Sequence, residues 1–493
     1  MINNKLIISF VASVVFLLNS LQASAEQVRL FGVAPDYAGL NIEVEQYTDY
    51  ITHSRRTLSV LRIDNEGRFD CNFAIGEITY AFLNLGSYNA YIYLEPGAEY
   101  EVVLPPFSPR PDADRFNPFY QPEMIVLGIR NEASCLNRAI YDYDLFFNDL
   151  YNQNAIKMVR KRDLKLADRL IAVSDSVAQA QQCDNEYFKK YVSYRNVQIY
   201  GTPRLQAWRS VLNSHFLKND VEYNVPSYWD ALDLIARNFV STFLRSKNGR
   251  KISTDTNIYA TIDAAVQSDT LFAKNDKFRE ALIIKGIYDD FYSDFLTSGQ
   301  TDTLLITATN QLKNSENIEL AFNMLAKKNR LKVGSDAPDF TLFDMEGKEV
   351  SLHDFKNKFV YLAFLHTQNF SCAKDIPALS GVSRKYRNDM VVVGILTDED
   401  ADNLPKYVNK RKFNWTALSY SLMQSVMLDY GVESLPAYFL IDPDGKLVLT
   451  DAPSPSKGVE KAFSTEIKKY RTEYLKRNPQ KPRDIDDAVK YGH

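Results

Sequence analysis

Tyr361–Leu379 reads YLAFLHTQNFSCAKDIPAL, and the fold of the C-terminal part of the chain turns on it. An apolar run ends at Phe364, and the polar residues His366, Thr367, Gln368 and Asn369 follow. A helical pattern then carries Cys372, Lys374 and Pro377. This is the pattern of a buried strand, a tight loop and a helix start, with a cysteine in the first helical turn. Further out, Thr341–Phe343 and Glu349–Leu352 read as a hairpin turning at Glu346-Gly347. Met390–Leu396 (MVVVGIL) is a continuous apolar run, as a strand covered on both faces requires. Lys457–Lys476 reads as a closing helix, and residues 477–493 as a polar tail.

The quoted stretch resembles the active-site segment of the thioredoxin superfamily, in particular the TlpA/ResA-like redoxins related to AhpC/TSA proteins. Phe364, Thr367, Cys372, Lys374, Pro377, Ala378 and Leu379 coincide with that segment without a gap. A second match precedes it in Val333–Phe364, through Gly334, Ala337, Pro338, Phe340, Leu342 and Gly347. A third lies in Tyr430–Gly445 (YGVESLPAYFLIDPDG), where the resemblance implies a cis-proline at Pro436 and a turn at Asp444-Gly445. It further implies an α/β thioredoxin-like domain over 331–476. Leu435, Pro436 and Thr367 would then line a groove in which an exposed backbone edge binds an extended peptide. The departure is at the first cysteine of the family's CxxC, where Asn369 stands.

The rest of the chain divides by its periodicity. With 493 residues, it exceeds what one hydrophobic core holds. Residues 1–25 read as a secretory signal: Lys5, an apolar stretch from Leu6 to Leu18, and Ala23-Ser24-Ala25 as the cleavage site. The exported protein is then expected in the periplasm, the family's usual setting, with no integral membrane segment once the signal is removed. Residues 26–106 alternate apolar and polar in short runs, Leu40–Tyr47, Thr57–Asp64, Ile78–Gly86 and Ala90–Gly97, separated by turn signals. They read as a β-sandwich, similar in layout to the β-domains that precede redoxin domains in Bacteroidota proteins. Residues 107–130 continue a proline-rich run that begins at Pro105 and read as a linker. Residues 131–330 switch to helical period, with stripes at Leu166, Leu170, Val173 and Val177, at Leu232, Ile235, Phe239 and Phe243, and at Ile284, Tyr288, Phe291 and Phe295. About six to eight helices are expected there, broken near Asn219, Pro226, Asn248-Gly249 and Gly299. The fold class is therefore multidomain: an N-terminal β-sandwich, a central all-α domain and a C-terminal α/β thioredoxin-like domain.

Composition narrows the function. Charged residues make up 24% and the net charge is −4, which gives no electrostatic footprint for nucleic acid. The five histidines form no metal-binding motif, so neither a metal nor a cofactor is expected. Export makes disulfides chemically possible. Of the four cysteines, Cys71 alternates with Phe69 and Phe73 and reads as a core residue of a strand. Cys135 and Cys183 fall in one helical region, and their pairing stays open because sequence gives no distance.

Two readings of the site follow. In the first, Asn369 occupies the position of the missing nucleophile and caps the helix, since an amide has no redox chemistry. The chain then binds protein or peptide segments in the cell envelope instead of exchanging dithiols. In the second, Cys372 is a monothiol of a thiol-disulfide oxidoreductase-like enzyme, with His366 as a candidate base. The first is preferred, because function follows the site and not the fold. A peroxidase is disfavoured: Leu365 and Asn369 replace the proline and threonine of a PxxxTxxC pattern.

Overall fold

The computed structural model describes residues 25–477 apart from 112–119, 132–133, 162, 202–207, 247–257, 291–297, 399–402, 421–422, 424 and 433. The signal read over residues 1–25 falls outside these but for its last residue, and the tail read over 477–493 falls outside but for its first. Phe291, Phe295 and the Asn248-Gly249 break also lie outside them.

Among the described residues nine strands come first: β1 Glu26–Val33, β2 Asn41–Tyr47, β3 Arg55–Arg62, β4 Arg68–Ile75, β5 Thr79–Leu85, β6 Tyr88–Leu94, β7 Glu99–Val103, β8 Glu123–Val126 and β9 Gly128–Ile129. They form two sheets, ordered β4-β1-β7-β9 and β3-β2-β5-β6-β8. Strict alternation sets the inner faces. In β4 every second residue is buried, so Phe69, Cys71 and Phe73 meet Val28 and Leu30 of β1 and Ile42 and Val44 of β2 in one core. The Cys71 thiol donates to Ser59 Oγ at 2.9 Å. Gly67 takes φ +80° in the turn before β4, where a Cβ would lie 2.6 Å from the Pro35 backbone.

The stretch 107–130 is not all linker. Its last part supplies β8, which pairs in parallel with β6, and β9, which pairs with β7. Both partners lie far back in sequence, so local composition carries no sign of this pairing.

On β2 the second face is buried as well, with Glu43 and Glu45 at 5% and 1% exposure. Other parts of the chain cover that side of the sheet. Tyr93 of β6 meets Tyr187 and Tyr191 at ring distances of 5.8 and 6.1 Å. The Asn137 side chain accepts from the Tyr93 N–H and donates to its carbonyl, at 2.7 and 2.8 Å.

The helices are α1 Leu136–Lys161, α2 Leu164–Ala180, α3 Glu186–Gly201, α4 Trp208–Val211, α5 Pro226–Ala236, α6 Phe239–Arg245, α7 Ile258–Gln267, α8 Asp276–Asp289, α9 Ser298–Thr309 and α10 Ser315–Asn329. Ten among the described residues exceed the six to eight expected, because α4 and α6 are too short to show a period. The core face of α2 is Ala167, Leu170 and Ser174, whereas Val173 is 45% exposed. The expected stripe is thus rotated. A buried network decides this, in which Ser174 Oγ lies 2.9 Å from Tyr143 Oη and donates to Asn196 Oδ1 at 2.8 Å. Cys135 and Cys183 are joined by a disulfide with Cα atoms 5.6 Å apart, which ties the entry of α1 to the entry of α3.

The C-terminal elements are β10 Thr341–Asp344, β11 Glu349–Ser351, β12 Phe359–Leu365, α11 Phe370–Lys385, β13 Met390–Leu396, α12 Asn403–Arg411, β14 Thr416–Ser419, α13 Ser425–Asp429, β15 Ala437–Ile441, β16 Leu447–Leu449 and α14 Val459–Arg477. One sheet runs β11-β10-β14-β13-β12-β15-β16, with β12 parallel to β13 and antiparallel to β15. All seven residues of β12 are buried, because both sheet faces are covered. On one face Ile376 and Leu379 of α11 pack with Phe463 of α14. On the other, Phe340, Met423 and Tyr430 form the cover, and Val60 of β3 reaches in from the N-terminal sheet. Glu43 of β2 accepts from the Ser425 N–H at 3.2 Å and its hydroxyl at 2.5 Å, and Arg62 pairs with Glu349.

Candidate functional site

At the carboxyl end of β12 the chain must leave a wholly buried strand and begin a helix within a few residues. Asn369 makes this possible as the N-cap of α11. Its backbone is extended, and its side-chain oxygen accepts from the N–H groups of Ser371 and Cys372 at 2.9 and 3.2 Å. Phe370 follows with its side chain in solvent, at 89% exposure. Cys372 then turns inward and is fully buried among Ile376, Leu379 and the β12 side chains. Pro377 sits inside the helix one turn later.

The environment of Cys372 opposes ionisation. Burial pushes its thiol up to about 11. A backbone hydrogen bond from His366 works against this, while the nearby carboxylates of Asp375 and Asp398 add to the rise. Thiolate is therefore scarce at neutral pH, and an unactivated buried thiol is a poor nucleophile.

His366 is buried beside Asp398, with Nδ1 3.6 Å from a carboxylate oxygen. The same Nδ1 accepts from the Gln368 N–H at 3.2 Å. At 3.6 Å the Asp398 contact is too long for a hydrogen bond. The His366 group that bonds to Cys372 is the backbone, not the imidazole. Thr367 directs its N–H and its hydroxyl to Asp398, at 3.0 and 2.5 Å.

Leu435 and Pro436 are joined by a cis peptide bond. Strand register places them at this same end of the sheet: Ala437 lies opposite Phe364, so Pro436 falls beside the exit of β12. Leu435 packs against the cluster that holds Cys372. The structure thus places His366 and Thr367 in the loop after β12, Asn369 at the cap of α11 and Cys372 in its first turn, with Leu435 and Pro436 beside them.

Residues 333–450 match the model of the AhpC/TSA family. A thiol-disulfide oxidoreductase ResA from Bacillus thuringiensis (strain Al Hakam) is 34% identical over 124 residues, which span 25% of this chain and 71% of that protein. The chain belongs to the AhpC/TSA redoxin family. The ResA of Bacillus subtilis (strain 168) is similar to its redoxin domain at 32% identity over 126 residues, 25% of this chain and 70% of that one. Among solved structures, the thioredoxin domain of a thiol-disulfide oxidoreductase from Bacteroides vulgatus is 26% identical, with a TM-score of 0.26, covering 27% of this chain and 98% of that chain.

Two carboxylates of the redoxin domain escaped the sequence reading. Asp398 follows the carboxyl end of β13, where open α/β sheets gather functional groups, and that position was the available signal. Asp375 lies one turn after Cys372 and is 5% exposed. It accepts from Tyr438 Oη at 2.8 Å and Ser456 Oγ at 3.0 Å, and Tyr438 stacks on Tyr361. Its spacing from Cys372 is visible in the sequence, but its partners come from β15 and the loop before α14. Among the described residues no group of three or more His, Cys, Asp or Glu side chains gathers to hold a metal.

Proposed function

We propose that this is an exported redoxin-domain protein that holds protein segments in the cell envelope without exchanging dithiols. One observation carries the reading. Cys372 is the sole cysteine of residues 331–476, it is fully buried, and its thiol is held near 11. Asn369 takes the place of the attacking cysteine of a CxxC and accepts from two of the helix's first N–H groups, those of Ser371 and Cys372. The Leu435–Pro436 edge and the rim at Thr367 are the binding groove, and exposed Phe370 adds an apolar contact beside it. Export to the periplasm is supported by the Lys5 to Ala25 pattern and by the Cys135–Cys183 disulfide, a bond that persists in oxidising compartments. No described helix is long and apolar enough to cross a membrane. In this reading the division into 26–106, 107–130, 131–330 and 331–476 stands, with the strands of 123–129 assigned to the first unit.

The relatives favour a second reading. Both are named thiol-disulfide oxidoreductases, and a monothiol enzyme would have to act through Cys372. Alkylation of Cys372 against pH separates the two, read by peptide mass spectrometry so that Cys71 is scored apart, with an insulin-reduction assay alongside. The binding reading expects slow alkylation, rising only above pH ~9 as an unactivated thiol does, and no reductase activity. A thiolate titrating below ~7, of the kind activated cysteines show, together with insulin reduction, establishes the enzyme instead.

A further inference from the structure

A cleft of about 320 Å³ that shares no lining residue with the redoxin site lies where β2, β3 and the start of β5 meet the Tyr223–Trp229 segment and α10. Its walls are aromatic: Tyr47, Tyr50, Tyr80, Tyr223 and Trp229 all line it. Tyr47 and Tyr80 are stacked with centroids 6.4 Å apart, and Trp229 forms part of the buried floor. The hydroxyls of Tyr47, Tyr50 and Tyr80 make no hydrogen bond to a described residue.

The charge lining the cleft is one-sided. Asp49, Glu77, Glu316 and Glu319 face a single cation, Arg56. Asp49 is already engaged by Thr52 and the Ile51 N–H. Glu316 is engaged by Lys277 at 3.4 Å. Glu77 accepts from Asn224 Nδ2 at 3.0 Å and feels the charge of Arg56, and neither Glu77 nor Glu319 forms an ion pair within 4 Å with a described residue. The wall also displays the chemistry it is suited to: Lys277 Nζ, the partner of Glu316, stands 5.1 Å over the Tyr223 ring.

We propose that this cleft binds a small organic cation with an apolar body, an ammonium or guanidinium on an aryl or alkyl group. The rings of Tyr47, Tyr80 and Trp229 receive the body, and Glu77 and Glu319 answer the charge. Aromatic faces attract cations through their quadrupole, and the excess of carboxylate excludes anions. The volume sits at the lower end of small-molecule pockets, which fits a ligand of this size and not a folded partner.

Titration calorimetry on the mature full-length protein tests this with phenethylammonium chloride and its neutral isostere 2-phenylethanol. Saturable 1:1 binding of the ammonium is expected, with the alcohol weaker by about tenfold or more, the scale of a cation–π contact plus an ion pair. The E77Q/E319Q variant is expected to lose that preference while binding the alcohol as before. E319Q alone, on an exposed face of α10, keeps the test available if the double variant fails to fold. An ammonium that gives no saturable heat, an alcohol that binds equally well, or a preference untouched by both variants overturns the proposal.

Discussion

Asn369 and Cys372 lie three residues apart, and the first helps determine the state of the second. A helix start stabilises a thiolate because its first N–H groups have no partner. Here the Asn369 carbonyl accepts two of those donors, one of them the N–H of Cys372 itself. For the sulfur, burial and the two nearby carboxylates oppose charge and outweigh the backbone hydrogen bonds from His366 and Cys372 that favour it. Removing the cap should therefore cost stability with no gain in chemistry. Asn369→Ala is expected to destabilise the redoxin domain by about 1 kcal/mol, the usual cost of losing an N-cap side chain. Urea unfolding monitored by circular dichroism measures it, and an unchanged midpoint would show that the cap is dispensable. The cap was legible from the residue type before a helical run. The burial of Cys372 was legible only in part: the family position of a resolving cysteine implies a partly buried thiol, whereas which face of α11 points inward is set by β12, β15 and α14, and two of these lie more than 60 residues further on.

At the level of elements, periodicity was a good guide to kind and a poor guide to orientation. The alternation of β4 gave Cys71 as a core residue, and the structure buries it. The four-three-four spacing of α2 marked a helix, yet its core face follows Ser174, whose burial depends on Tyr143 of α1 and Asn196 of α3. A hydrophobic count cannot find a face organised by a polar network. The same limit applies to Gly394 in the MVVVGIL run: a Cβ there would meet the Trp415 ring at 2.4 Å, a contact invisible until β13 and the Trp415 segment pack. The disulfide is the strongest single tie among the helices, since Cys135 and Cys183 are 48 residues apart. Closing a loop of that length restricts the unfolded chain by an amount worth about 2–4 kcal/mol. The double variant C135S/C183S should lose that stability and melt several degrees lower in calorimetry. An unchanged melting temperature would mean that helix packing alone fixes the start of α1 against α3.

For the whole molecule, the N-terminal sheet is the hub: the aromatic face of β6 meets the helices, and β2 and β3 meet the redoxin domain. Carboxylates occupy that second contact. Glu45 is 1% exposed, one of its oxygens has no partner, and burial beside Glu43 pushes it up to about 8, against the pull of Arg55. A carboxyl raised in the folded state binds its proton more tightly there than in the unfolded chain. Its contribution is therefore full below the ordinary carboxylate range and is lost as pH rises toward 8. Glu45→Gln should flatten this fall and raise the melting temperature at pH 8 and above relative to the parent protein, with little difference at pH 5. Parallel thermal profiles for the two proteins at both ends of that range would refute the assignment. The order of the cysteines along the chain has a consequence for how the molecule is made. A polypeptide delivered N-terminus first into an oxidising compartment presents Cys71, then Cys135, then Cys183. The last strand of the two-sheet unit ends at Ile129, ahead of Cys135, and Cys71 is buried in the core of that unit. Once that unit has folded, Cys71 is shut away from the later cysteines, which leaves Cys135 to pair with Cys183.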